Sequence, residues 1–158
     1  MFGLFSKKEQ ETLCAPVTGE MIDIAGVSDV TFANRLLGDG VAFRAEGDVV
    51  TVYAPVSGKL ESLFPTGHAF GIEAANGLQI LVHIGINTVE ANGDGFRVLS
   101  HSQGEKVKAG DALIEYDAKK LSEKYDTTVM LVITDDNGHE LKFKEYSRYE
   151  ARDVITEG

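Results

Sequence analysis

The sequence predicts an all-β protein, a sandwich or barrel with an internal duplication and only short helices. Three observations carry this expectation: apolar residues come in short runs broken by glycine-containing segments, glycine occurs 17 times in 158 residues, and one five-residue segment occurs twice. Short Val/Ile-rich runs with turn residues between them are the pattern of strands in a sandwich or barrel.

In chain order, residues 1–12 are polar apart from Phe2, Leu4 and Phe5 and are expected to form a flexible N-terminal tail, with residues 13–158 as one domain. Ala15-Pro16-Val17-Thr18-Gly19 recurs as Ala54-Pro55-Val56-Ser57-Gly58, with four of five residues identical and the fifth a hydroxyl swap. Gly38-Asp39-Gly40-Val41-Ala42 resembles Gly110-Asp111-Ala112-Leu113-Ile114, so each copy reads as a turn, a strand and a later Gly-Asp turn. Asp29 to Leu37 is read as a short helix ending at Gly38. Strands are expected over Val49–Tyr53, Leu78–Ile86, Ala112–Tyr116 and Val129–Ile133. Asp117 to Tyr125 has a capping Asp117 and an apolar Leu121, which predicts a second short helix. Asp136-Asn137-Gly138 is expected to make a tight hairpin turn.

Composition narrows the function. The 25 acidic and 15 basic residues give a net charge of −10, which argues against a nucleic-acid surface and against adsorption of a whole face to anionic lipid. It suits a basic protein partner. A single cysteine, Cys14, excludes an internal disulfide and a cysteine-rich zinc site. No apolar run approaches the ~18–20 residues of a membrane span. The first eight residues place apolar side chains before lysines, the reverse of a secretory signal, and a cytoplasmic location is expected. At most, Phe2, Leu4 and Phe5 beside Lys7 and Lys8 give the tail a weak membrane association. GxxxxGK[ST], G-x-S-x-G, H-E-x-x-H and His-x-His are all missing. The repeats are similar to those of lipoyl and biotinyl carriers, but neither Asp-Lys-Ala nor Met-Lys-Met supplies an attachment lysine.

Four histidines remain. His101 and His139 lie in polar or turn-like stretches and read as surface residues. His83 interrupts Leu78-Gln79-Ile80-Leu81-Val82-His83-Ile84-Gly85-Ile86, and an imidazole in such a strand needs a partner or a purpose. The nearby Gly85 lets backbone or ligand approach closely. His68 follows Thr66, whose hydroxyl can bond an imidazole two residues away. A hairpin through Asn76-Gly77 pairs residues whose numbers total 151 or 153, which places His68 beside His83 across an antiparallel pair. Two neighbouring imidazoles can bind a metal with a third ligand. Alternatively, one is a nucleophile and the other stabilises charge.

At these residues the chain resembles a known family. Gly77-Leu78-Gln79-Ile80-Leu81-Val82-His83-Ile84-Gly85-Ile86-Asn87-Thr88-Val89 is similar to the phosphohistidine signature of the glucose-type IIA component of the bacterial phosphoenolpyruvate:sugar phosphotransferase system. The resemblance runs from about Leu13 to about Val132 and includes Ala15-Pro16-x-x-Gly19, Asp29-Val30-x-Phe32-Ala33, His68-Ala69-Phe70 and Gly93-x-Gly95-Phe96.

The resemblance implies an antiparallel β-sandwich, the duplicated hybrid motif, and a phosphocarrier role. On that footing His83 accepts a phosphoryl group from the histidine-phosphorylated carrier HPr and passes it to a cysteine of a IIB domain of a sugar permease. His68 stabilises the phosphoryl group and Thr66 orients His68. Phe32, Phe64, Val82, Ile84, Asp29 and Asn87 are expected at the partner-binding surface, Val82, Ile84 and Phe64 as an apolar collar that docks partners and excludes water. Regulatory proteins that read the phosphorylation state are further candidate partners. Family members often carry Asp at the position of Asn87, so attraction to a basic donor is weakened here. No cofactor is required; the His68–His83 pair is expected to hold zinc only weakly, at a partner interface that supplies the missing ligand. The fold also resembles that of lysostaphin-like zinc peptidases, whose His-x-His motif this chain lacks.

Overall fold

The computed structural model describes residues 12–157. The expected tail over residues 1–12 therefore lies outside the described residues except for Thr12. The elements in order are β1 (Gly19–Asp23), α1 (Val30–Ala33), β2 (Asp39–Ala45), β3 (Val49–Tyr53), β4 (Gly58–Leu63), β5 (Ala69–Glu73) and β6 (Gln79–Ile84). They continue with β7 (Phe96–Val98), β8 (Lys106–Val107), β9 (Ala112–Asp117), α2 (Ala118–Leu121), β10 (Val129–Asp135) and β11 (Arg148–Tyr149). Every strand pair is antiparallel. Eight strands form one sheet in the order β11-β1-β2-β10-β6-β5-β4-β8, and three form a second in the order β3-β9-β7.

The main core is built from alternating residues of both sheets. Phe43, Phe70, Val82, Ile84 and Leu131 of the large sheet share it with Val52, Leu113 and Tyr116 of the small one, all at most 1% exposed. Each such side chain contributes roughly 1.5–3 kcal/mol by burial. The large sheet also carries apolar residues on its outer face. There Ala42, Met130 and Val132 lie under Ile24, Val27, Phe32 and Ile86 in a second, smaller cluster. α1 therefore has a hydrophobic seat outside the sandwich, and that seat borders the histidines.

Both predicted helices form, each as a single turn. Asp29 caps α1 by accepting from the Thr31 amide at 2.8 Å, and Asp117 caps α2 by accepting from the Lys120 amide at 3.0 Å. Asp136-Asn137-Gly138 does turn the chain, with the His139 amide bonded to the Asp136 carbonyl. It is not a hairpin, however, since the chain beyond it bridges through Phe143 to Thr156 rather than returning along β10.

The duplication is written in the hydrogen bonds. The Cys14 amide bonds the Pro55 carbonyl while the Tyr53 amide bonds the Pro16 carbonyl, both at 2.8 Å, so the two Ala-Pro segments exchange equivalent bonds. The Ala15 amide bonds Asp153 O and the Ala54 amide bonds Asp111 O. The Thr18 hydroxyl accepts from the Ala151 amide as the Ser57 hydroxyl accepts from Ala109. The second half of the repeat is thus Lys108–Asp111 matched to Glu150–Asp153, and not Gly38-Asp39 matched to Gly110-Asp111. Sequence hides this because Arg152 occupies the left-handed position, φ 78°, that Gly110 fills in the other copy at φ 91°. Among the described residues, no helix is long and apolar enough to cross a membrane.

Candidate functional site

β6 alternates as a half-buried strand should. Ile80, Val82 and Ile84 enter the main core, and Gln79, Leu81 and His83 turn to the outer face. There His83 is half-buried between Ala69 of β5 and Met130 of β10, its direct cross-strand partners. Its ring centroid lies 5.1 Å from that of Phe32 on α1.

His83 Nδ1 lies 2.8 Å from the Gly85 carbonyl oxygen. A carbonyl only accepts, so Nδ1 carries the proton and Nε2 keeps a free lone pair. The tight return of the chain after β6 makes this contact possible. Gly85 stands at φ 78°, and a Cβ built there would lie 2.4 Å from the Thr88 methyl carbon. No other residue fits.

His68 reaches the same place by another route. The hairpin joining β5 and β6 closes at Ala74 and Leu78 around the three-residue loop Ala75-Asn76-Gly77, with Gly77 left-handed at φ 88°. The extra loop residue moves the register by one. Ala69, not His68, stands opposite His83, and the His68 carbonyl accepts from the Ile84 amide at 2.7 Å. The predicted direct pairing is corrected accordingly. Strict alternation would send the His68 ring to the opposite face, but β5 begins only at Ala69. Just before it, Gly67 is left-handed at φ 78° and so tight against Phe96 that a Cβ would lie 2.9 Å from the Phe96 Cβ. The rings do meet, with centroids 5.2 Å apart and planes at 77°.

His68 is 4% exposed, and its Nδ1 lies 2.6 Å from the Thr66 hydroxyl. Phe64, 42% exposed, stands edge-on with its ring centroid 5.0 Å from that of His68. Burial holds the His68 imidazole below its ordinary proton affinity. Burial does the same to His83, helped by neighbouring His68 and opposed by the Gly85 carbonyl and Asp29. Two imidazoles that burial biases toward the neutral form thus lie side by side, each with its Nδ1 engaged.

The other expected site residues sort clearly. Asp29 caps α1 and acts on His83 through space. Asn87 is exposed, left-handed at φ 63°, and starts the 3-10 turn Thr88–Ala91. Asn tolerates this conformation well. Val82 and Ile84 are fully buried in the main core; placing them in a docking collar is corrected, because alternation turns them away from His83. Phe32, 7% exposed, supports the His83 ring from the second cluster more than it faces solvent. Exposed apolar residues instead include Phe64, Val30, Leu36, Leu37 and Val89. Sequence reading gave Val30, Leu36, Val89 and the buried Thr88 no role of their own. For Thr88 the available signal was a hydroxyl residue closing an otherwise apolar run. Among the described residues, no group of three His, Cys, Asp or Glu side chains is placed to hold a metal.

Known proteins share this arrangement's sequence and fold. Residues 11–139 match the family model described as phosphoenolpyruvate-dependent sugar phosphotransferase system, EIIA 1. The PTS system glucose-specific EIIA component of Bacillus cereus is 46% identical over 143 residues, covering 89% of this chain and 84% of that protein. The component of the same name from Halalkalibacterium halodurans is 40% identical over 142 residues, covering 84% of this chain and 79% of that one. Among solved structures, the glucose permease IIA from Mycoplasma capricolum superposes with a TM-score of 0.88 at 36% identity, covering 95% of this chain and 96% of that chain.

Proposed function

The chain belongs to the EIIA 1 family of the phosphoenolpyruvate-dependent sugar phosphotransferase system, and on that premise we propose that Nε2 of His83 carries a phosphoryl group between two protein partners. The observation that carries this reading is the His83 Nδ1–H bond to the Gly85 carbonyl, which leaves Nε2 as the nucleophile. The Nε2 lone pair attacks the phosphorus of the phosphohistidine on HPr. The donor N–P bond breaks and its electron pair returns to the donor imidazole. In the second half-reaction a cysteine thiolate of a IIB domain attacks the same phosphorus, and the His83 N–P bond breaks.

Phosphoryl transfer asks a protein for positioning and charge stabilisation more than for covalent work. With the Thr66 hydroxyl donating to Nδ1 of His68, the His68 proton sits on Nε2 and is donated to a phosphoryl oxygen. A neutral His83 is the nucleophilic form, and burial favours it near neutral pH. On this reading Phe64, Val30, Leu36 and Val89 offer exposed apolar contacts to partners, and Asp29 and Asn87 offer polar ones. The same surface serves regulatory proteins, because phosphorylating His83 alters charge and shape there. Zinc, if bound, takes the two histidines and completes its set from a partner carboxylate, as glue at an interface.

The test separates the two half-reactions. His83→Gln loses all labelling from phospho-HPr while keeping its fold. His68→Gln keeps some labelling at His83 but passes it to IIB at least about a hundredfold more slowly. A His83→Gln protein that still accepts phosphate from HPr contradicts the proposal.

A further inference from the structure

Two consecutive peptide groups follow His83, and each is held at both ends. The Ile84–Gly85 peptide donates through the Gly85 amide to Thr128 O at 2.9 Å, and its carbonyl, Ile84 O, accepts from the Thr88 hydroxyl. The Gly85–Ile86 peptide donates through the Ile86 amide to Asp126 O at 2.8 Å, and its carbonyl accepts from His83 Nδ1. Apart from the His83 ring itself, the Thr88 hydroxyl is the one side-chain group among these four anchors. Thr88 is fully buried. Its methyl carbon also fills the space over the Gly85 Cα, where no Cβ can stand. Gly85 is the joint between the two peptides, and a glycine joint rotates freely unless its neighbours are held.

From this we propose that Thr88 is a positioning residue for the phosphoryl acceptor. Its hydroxyl fixes the Ile84–Gly85 peptide and its methyl blocks rotation at Gly85. Together they aim the Gly85 carbonyl at Nδ1 of His83 and so hold the ring in the Nδ1–H tautomer. Catalysis through outer contacts of this kind depends on the ring's orientation and tautomer, which a group two bonds removed can set. The inference rests on His83 being the acceptor, but its primary readout does not.

The test is nitrogen NMR of the full chain, unphosphorylated and labelled in its histidines, above the pH at which the ring protonates. The native His83 is expected to show the proton on Nδ1. Thr88→Val keeps the shape and removes the hydroxyl. It should raise the Nε2–H population of His83 and slow phosphoryl acceptance about tenfold at saturating phospho-HPr, with KM for HPr unchanged. Thr88→Ser, which restores the hydroxyl without the methyl, should recover most of the native tautomer population. Should Thr88→Val not fold, Thr88→Ala against Thr88→Ser gives the same comparison. Native tautomer populations and rates in the hydroxyl-less variants would overturn the proposal. Failure of the native protein to accept phosphate at His83 would instead strike the phosphocarrier reading and leave the tautomer result standing.

Discussion

His83 and Gly85 act as one unit at the scale of the residue, because the carbonyl two positions on decides which ring nitrogen is free. Gly85→Ala must therefore move that carbonyl. It places a Cβ against the Thr88 methyl at a left-handed φ, costing about 2 kcal/mol or more. Denaturant unfolding should show the loss, and phosphoryl acceptance should fall with it. The histidines also set a pH dependence. Burial lowers the folded-state proton affinity of both His68 and His83. Their contribution to stability is thus fully present above the unfolded value of about 6.5 and is lost as pH falls from there through the lower folded values. Thermal melts should show stability dropping over that acidic window. The double variant His68→Asn/His83→Gln should flatten the drop. An unchanged profile would show that the rings are not held neutral by the fold.

At the scale of the element, the two halves of the duplication make equivalent bonds in unequal surroundings. Thr18 holds the Ala151 amide where the backbone is part-buried, and Ser57 holds the Ala109 amide where it is exposed. Thr18→Val should cost about 1 kcal/mol, while Ser57→Ala should cost less, since water replaces an exposed partner more readily. Unfolding midpoints compare the two directly. Tyr116 of β9 is a second test. Its hydroxyl is buried with no hydrogen-bond partner, so Tyr116→Phe should raise stability by about 1 kcal/mol. The strand runs of these elements were legible because alternation and short apolar segments survive in sequence. The register of the β5–β6 hairpin was not, because Asn76-Gly77 does not say whether the loop has two residues or three. The second half of the repeat was obscured by Arg152 in a glycine-like conformation. The collar was misread because Val82 and Ile84 flank His83 in sequence yet face the opposite side of the sheet. His68 was found beside His83 through a register one residue off. Their rings meet because Gly67 breaks the strand's alternation, a departure that sequence does not reveal.

At the scale of the whole molecule, the net charge of −10 favours encounter with a basic partner and makes that encounter sensitive to salt. The rate of phosphoryl acceptance from HPr should fall as ionic strength rises. Asn87→Asp, at an exposed position whose backbone an aspartate also tolerates, should raise that rate a few-fold at low salt, with the gain vanishing at high salt. The proposal that His83 is the acceptor rests on its Nδ1 contact with the Gly85 carbonyl, which leaves Nε2 free. The most direct measurement incubates the purified chain with phosphoenolpyruvate, Enzyme I and HPr, then determines its intact mass and maps the modified residue. The account predicts one acid-labile phosphoryl group on Nε2 of His83. A phosphoryl group mapped to His68, or no mass gain from a folded chain and active donors, would contradict it.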